Sequence, residues 1–394
     1  LLTYGLLVLL LIWLSHVAYY ANLITLGTLS PLIKKEFGLS MAQIGVLSSM
    51  INVGTVTAQI PAGFASDRYG VKKMLTFGLV IIFISALGLS RSRSYMEMLL
   101  LFVLMGIGIA CNQSPGTKAV VMWFSKRGRA TAMGVKQTGV SVGGIVASLF
   151  LPALALQLGT WRMPFVLTGT FSLAVGAMVY LLYREGGPFL EKEKMTKFSL
   201  TLLRGQLSRN FLFLCLAGVL YLMVQFSFTT YFVLYATSAP EIPVKKASRL
   251  LALAFVCGTL ARIIWGVLSD YLFHGKRVRV LKIISTFGTL CLLAFTIPST
   301  LQSELFLDAA TVVFGLTGLG WNAIYLTTVG EAASRDLSGT ASGISFFSMS
   351  LGAIIGPPTF GLLIDMTGTY SIAWLFLAGC MAATIFLCSS EKEV

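Results

Sequence analysis

Apolar runs of about twenty residues, repeated about twelve times, constrain this chain more than any other feature of its 394 residues. A run of that length is what an α-helix needs to cross the hydrocarbon core of a bilayer. No water reaches that core to bond an exposed backbone N–H or C=O, so such a chain folds as a bundle of helices that satisfy their own backbones. Composition agrees, with 56% hydrophobic and only 11% charged residues. The spans are expected at roughly 4–27, 42–62, 75–92, 96–121, 129–156, 161–183, 209–236, 247–268, 280–298, 304–330, 339–363 and 370–388. The first is expected to be a retained helix rather than a cleaved signal, because further spans follow it.

The sixth and seventh runs are separated by residues 184–208, which include Gly186-Gly187-Pro188 and Glu191-Lys192-Glu193-Lys194. That stretch has no long apolar run and reads as a cytoplasmic linker between an N-terminal half, 1–183, and a C-terminal half, 209–394. The halves echo one another. Gly63, Ser66 and Asp67 recur 203 residues later as Gly266, Ser269 and Asp270. Thr131-Ala132-Met133-Gly134 matches Thr340-Ala341-Ser342-Gly343 at an offset of 209, where Gly106 also meets Gly315 and Asn112-Gln113 falls on Trp321-Asn322. The expected fold is an all-α polytopic membrane protein, with twelve transmembrane helices in two pseudo-symmetric six-helix bundles. Gly139 and Gly143 in the fifth run, and Gly352 and Gly356 in the eleventh, stand four residues apart and predict close helix packing.

A net charge of +14 invites a nucleic-acid reading. Its distribution argues against one. With alternating loops and both termini cytoplasmic, 18 of the 29 Lys and Arg lie on the cytoplasmic side and eight outside. That bias orients a protein of the cytoplasmic (inner) membrane. The six cysteines lie inside apolar runs without metal-ligand spacing, so no metal or cofactor is expected.

The polar island between the second and third runs is Gly63-Phe64-Ala65-Ser66-Asp67-Arg68-Tyr69-Gly70-Val71-Lys72-Lys73. It resembles the signature that joins the second and third helices in the major facilitator superfamily, roughly G-x-[LA]-[SA]-D-[RK]-x-G-[RK]-[RK], departing from it at Val71. The resemblance, which covers essentially the whole chain, implies a secondary transporter whose loop aspartate and bases latch one conformation on the cytoplasmic side. It gives a gating role to Gly63, Asp67, Arg68, Gly70 and Lys72, and to Asp270 in the second half.

Lys118, Lys136 and Arg262 stand inside apolar runs, seven or eight residues from the nearest loop charge. At about 1.5 Å per residue they lie roughly 10–12 Å within the cytoplasmic boundary. No acidic residue is expected at that depth, so their counter-ion is expected to be an anionic substrate in a wet cavity. The alternative for each lysine is to snorkel back to water. Arg262 carries a fork suited to a carboxylate, and Gly258, Thr259 and Gly266 on its face leave room beside it. The repeat sets Gln59 opposite it, and Gln137 adjoins Lys136. In carboxylate-carrying branches of the superfamily an arginine on the eighth helix binds the substrate carboxylate, and Arg262 resembles that residue. Asn112, Gln113, Tyr221, Gln225, Asn322 and Tyr325 are further substrate-site candidates, with helix–helix hydrogen bonding as the alternative for each. His16, with Tyr20 one turn on, is the proton-coupling candidate.

The expected function is secondary active transport of a small organic anion, most simply a carboxylate, by alternating access. A monomer is expected, coupled to protons or to a counter-anion, with the lipid bilayer as its surroundings and no enzymatic activity. Gly139-Val140-Ser141-Val142-Gly143 fits G-x-S-x-G, but inside a span it cannot form the strand–turn–helix elbow that a nucleophile needs. With Gly144 it also resembles an exporter signature, G-P-x-x-G-G, with Val140 in place of the proline, so proton-driven drug efflux is the alternative mode. A transporter-like membrane sensor is the alternative from another class. A long cytoplasmic output segment would mark it, and residues 389–394 are not expected to supply one.

Overall fold

A computed structural model describes residues 2–188, 209–297, 299–332 and 338–389. Most of the expected linker, residues 189–208, and the tail, residues 390–394, lie outside the described residues. The first half comprises α1 (Leu2–Phe37), α2 (Met41–Tyr69), α3 (Val71–Arg91), α4 (Tyr95–Trp123), α5 (Lys126–Leu158) and α6 (Arg162–Leu182). The second comprises α7 (Arg209–Ala236), α8 (Val244–Val267), α9 (Arg277–Phe295), α10 (Glu304–Gly318), α11 (Asn322–Ala332), α12 (Ser338–Thr367) and α13 (Tyr370–Ser389). A π-helical turn, Leu268–Leu272, extends α8, and α10 and α11 together make the tenth span. Among the described residues, twelve helical segments are long and apolar enough to cross a membrane.

Several helices overrun the expected spans. α1 continues to Phe37 with Lys34 and Lys35 in its last turn, where cations complement the partial negative charge of a helix C-terminus. α2 continues through most of the polar island to Tyr69, so the expected loop shrinks to Gly70. Apolar length measures how much of a helix sits in hydrocarbon, not where it stops, and lysine and arginine are good helix formers. Gly70 ends α2 because its backbone sits at φ +91, a region that side chains with a Cβ rarely adopt. A Cβ there would also meet Glu185 Oε1 at 2.5 Å.

The chain falls into two compact units, Leu1–Leu39 with Leu47–Lys194 and Ser40–Val46 with Met195–Val394. In the first, α1 packs chiefly on α5, and α3 lies against both α4 and α6. In the second, α7 packs on α12, α9 on α13 and α8 on α10. The α1–α5 seam closes over glycines. A Cβ on Gly139 would sit 2.8 Å from the Trp13 carbonyl oxygen, and one on Gly143 2.6 Å from that of Val17. The α7–α12 seam repeats the device, with Gly356 placed so that a Cβ would lie 2.8 Å from the Met223 carbonyl oxygen.

Gly143→Val and Gly356→Val are therefore expected to wedge these seams apart, costing about 1–3 kcal/mol each. The thermal midpoint of the detergent-purified protein measures this. Gly134→Ala is the control, because nothing lies within 4 Å of a Cβ at that position. Equal midpoints for Gly143→Val and Gly134→Ala would show that the α1–α5 seam yields without cost.

Candidate functional site

In the first unit the two buried-span lysines have different fates. Lys118 on α4 donates to Asp67 Oδ1 at 2.6 Å and to the Ser66 carbonyl at 3.1 Å. The expectation that no carboxylate reaches Lys118 is thus overturned. α2 stays helical through Asp67, and the long lysine side chain spans the gap to it. Among the described residues Lys136 on α5 has no such partner. It is 6% exposed and, among the described residues, the one Lys, Arg, Asp or Glu that is buried. Its Nζ donates to Thr117 Oγ1 on α4 at 2.7 Å.

His16 lies beside this lysine. It packs where a Cβ on Gly116 of α4 would be 3.1 Å from its ring and one on Gly139 of α5 2.9 Å from its Cβ. Its Nδ1 donates to the Ile12 carbonyl at 2.9 Å, which fixes a proton on Nδ1 and leaves Nε2 as the position for a second. Gln113 is half-buried on α4, and Tyr19 packs edge-on to His16 with ring centroids 5.0 Å apart. Tyr20 is buried with its Cβ against Gly143. Gln137 is exposed and Gln59 half-buried. Asn112 is separate from this group: it is fully buried against Gly78 of α3, with its amide donating to the Gly108 carbonyl at 2.8 Å.

In the second unit the tenth span is broken between Gly318 and Asn322. The indole of Trp321 turns into the core there, stacked on Tyr221 with centroids 4.6 Å apart and donating to Gln225 Oε1 at 3.0 Å. The Leu316 carbonyl is taken by Trp265 Nε1 of α8 at 2.7 Å. A break inside a membrane is tolerated when neighbours satisfy its backbone in this way. Tyr221 shares a hydrogen bond with Ser285 at 2.6 Å, and Tyr325 donates to the Leu214 carbonyl at 3.1 Å while bonding Ser345. Tyr221, Gln225 and Tyr325 are thus bonded within the unit and buried. Asn322, which opens α11, is half-buried, and its Oδ1 is a buried acceptor without a hydrogen-bond partner.

Arg262 is half-buried on α8 next to Ala261, whose Cβ lies 2.5 Å from where one on Gly320 would stand. The space expected beside Arg262 is partly filled. A Cβ at Gly258 would meet Leu319 Cβ at 2.6 Å, whereas Gly266 opens on nothing within 4 Å. The broken helix comes close to α8 and takes the room that the sequence leaves at Gly258.

The gating candidates divide between the units. Gly63 is helical with open space beside it, and Arg68 lies over the Tyr69 ring at 5.5 Å. The Lys72 backbone N–H donates to Glu185 Oε1 at 2.6 Å, so a carboxylate just past α6 caps the N-terminus of α3. Asp270 pairs with Arg277, which also bonds Ser269 at 2.8 Å and reaches Glu331 at 3.4 Å. The partners Glu185, Arg277 and Glu331 were not singled out from sequence.

Twelve candidate spans among the described residues, in two compact units, make this a multi-pass membrane protein. The chain belongs to the major facilitator superfamily, whose family model matches residues 12–357. It is 25% identical over 389 residues to a hexuronate transporter of Bacillus subtilis (strain 168), covering 94% of this chain and 91% of that protein. It is also 25% identical to a probable L-galactonate transporter of Escherichia coli (strain K12), covering 95% of this chain and 86% of the relative. Among solved structures, a bacterial homologue of the human lysosomal transporter Spinster superposes with a TM-score of 0.78 at 18% identity, over 98% of this chain and 95% of that one. At that identity the likeness is one of fold.

Proposed function

We propose that this protein moves a small organic anion, most simply a carboxylate, across the cytoplasmic membrane by alternating access, with both chain termini cytoplasmic. The observation that carries the reading is Lys136. A cation at mid-span costs about 2.5–3.5 kcal/mol on insertion scales, and such a charge persists when an opposite charge offsets it. The four described carboxylates of the first unit are all committed elsewhere: Glu36 to Arg162, Asp67 to Lys118, Glu97 to the Arg93 N–H and Glu185 to the Lys72 N–H. Among the described residues of the first unit no carboxylate is left for Lys136, and its counter-charge is assigned to the substrate. Arg262 is assigned the substrate carboxylate in the second unit, with Asn322 offering an acceptor to a hydroxyl. The relatives named for hexuronate and L-galactonate transport support an organic-acid substrate.

The test is thermal stability of the purified protein against D-galacturonate, L-galactonate, 3-phosphoglycerate and a lipophilic cation such as tetraphenylphosphonium. A ligand held by the folded state alone adds about 2.7 kcal/mol at a hundred times its Kd. Stabilisation by an acid supports the reading; stabilisation by the cation alone replaces it with drug efflux.

Coupling is assigned to protons through Nε2 of His16. His16→Gln is expected to abolish accumulation driven by a pH gradient in proteoliposomes while sparing counterflow exchange, which needs no net proton movement. Gradient-driven accumulation at the wild-type level in that variant would reduce His16 to a packing residue.

A further inference from the structure

We infer that Thr117 is a positioning residue for anion binding, holding the Lys136 ammonium ready at the rim of the first unit; the inference rests on the anion reading above. Thr117 Oγ1 donates to the Gln113 carbonyl one turn back, at 3.0 Å. A hydroxyl has one proton and two lone pairs, so this bond turns the lone pairs outward, and one of them takes Lys136 Nζ at 2.7 Å. The two ends of this contact differ in exposure. Lys136 is buried, whereas Thr117 is exposed on α4. The threonine therefore draws the charged tip of a buried side chain toward the exposed face of α4.

The neighbouring lysine supplies the contrast. Lys118 also bonds across to another helix, but its partner is the Asp67 carboxylate, which cancels its charge. Thr117 is neutral. It fixes the ammonium in place and leaves its charge uncancelled, with two of its three N–H donors unspent. Lysine side chains lose up to about 2 kcal/mol of rotamer freedom when immobilised. A threonine that has already fixed the rotamer removes that cost from the binding step. By this argument the pair divides the work: Lys136 provides the charge, and Thr117 sets where it stands.

The experiment is uptake into proteoliposomes of whichever of D-galacturonate, L-galactonate and 3-phosphoglycerate stabilises the wild type most, with full-length wild type, Thr117→Val, Thr117→Ser and Lys136→Gln. Valine keeps the shape of threonine and removes the acceptor. Thr117→Val is expected to raise KM about tenfold with kcat within about twofold of wild type, as suits loss of one hydrogen bond to a charged group. Thr117→Ser, which keeps the hydroxyl, is expected to stay within about twofold in both. A purely structural role would lower the thermal midpoint and kcat without this split or the serine rescue. Thr117→Ala takes the place of the valine variant if that fails to fold. A wild-type KM in Thr117→Val, with uptake lost in Lys136→Gln, overturns the positioning role and leaves the anion reading standing. An unaltered KM in Lys136→Gln, or no uptake of any of the three acids by the wild type, overturns both.

Discussion

Lys136→Met is expected to abolish anion uptake while stabilising the empty protein, two effects of opposite sign from one substitution. Lys136 is buried, and among the described residues its ammonium has one hydrogen-bond partner, the neutral Thr117 Oγ1. Burying a charge without a counter-charge is unfavourable, and replacing buried ionic groups by apolar side chains of similar volume is often neutral or stabilising by about 1–4 kcal/mol. Methionine has nearly the length of lysine and fills irregular gaps. The thermal midpoint without ligand should therefore hold or rise. Binding should move the other way. Loss of one partner from a desolvated charge pair costs about 2–5 kcal/mol, which is roughly 30-fold to several thousandfold in affinity. Uptake at micromolar to millimolar substrate then disappears. A residue that merely packs would show the reverse, a lower midpoint with transport retained among the molecules that fold. Midpoint and uptake measured on one preparation separate the two cases.

The contrast between Lys136 and Lys118 also shows what a sequence of this kind conceals. The count and approximate place of the spans were legible, because the bilayer leaves a chain few options and apolar length reports the crossing directly. The glycine seams were legible for the same reason: Gly139 with Gly143 and Gly352 with Gly356 stand four residues apart on faces where only a missing Cβ lets backbones touch. Helix ends were not, since α2 runs straight through charged residues that are compatible with a helix. Lys118 and Lys136 look alike in sequence, at like depth and with similar small neighbours. Which one finds a carboxylate depends on how α2 and α5 turn about α4, a tertiary fact with no local signal. Tyr221, Gln225 and Tyr325 were visible as polar residues in apolar runs, but their partners Ser285, Trp321 and Ser345 lie 20 to 96 positions away. The break after Gly318 was hidden because Gly318-Leu319-Gly320 reads as one more small-residue stretch. In the folded protein the Leu316 carbonyl, which accepts from Trp265 Nε1 of α8, marks the site.

Arg262 gives the second large effect, and the comparison of alanine with lysine at this position carries the argument. Arg262 follows Ala261, which is fixed against the break in the tenth span at Gly320, so the root of the side chain is held while the residue as a whole is half-buried. A planar guanidinium offers two parallel N–H donors to a carboxylate, and such charge-assisted pairs are roughly twice as strong as neutral hydrogen bonds. Arg262→Ala removes both the charge and the fork and is expected to weaken anion binding by about 2–5 kcal/mol, with little change in the ligand-free midpoint. Arg262→Lys restores the charge as a point source without the fork. If the site holds a carboxylate bidentately, lysine should recover only part of the loss, leaving affinity about tenfold or more below wild type, the equivalent of one hydrogen bond to a charged group. If the arginine acts only as a diffuse positive field, lysine should recover nearly all of it. Thermal shifts of the two variants with the preferred acid decide between these. Wild-type affinity in the alanine variant would take Arg262 out of the site and leave the first unit, through Lys136, as the place where the anion is held.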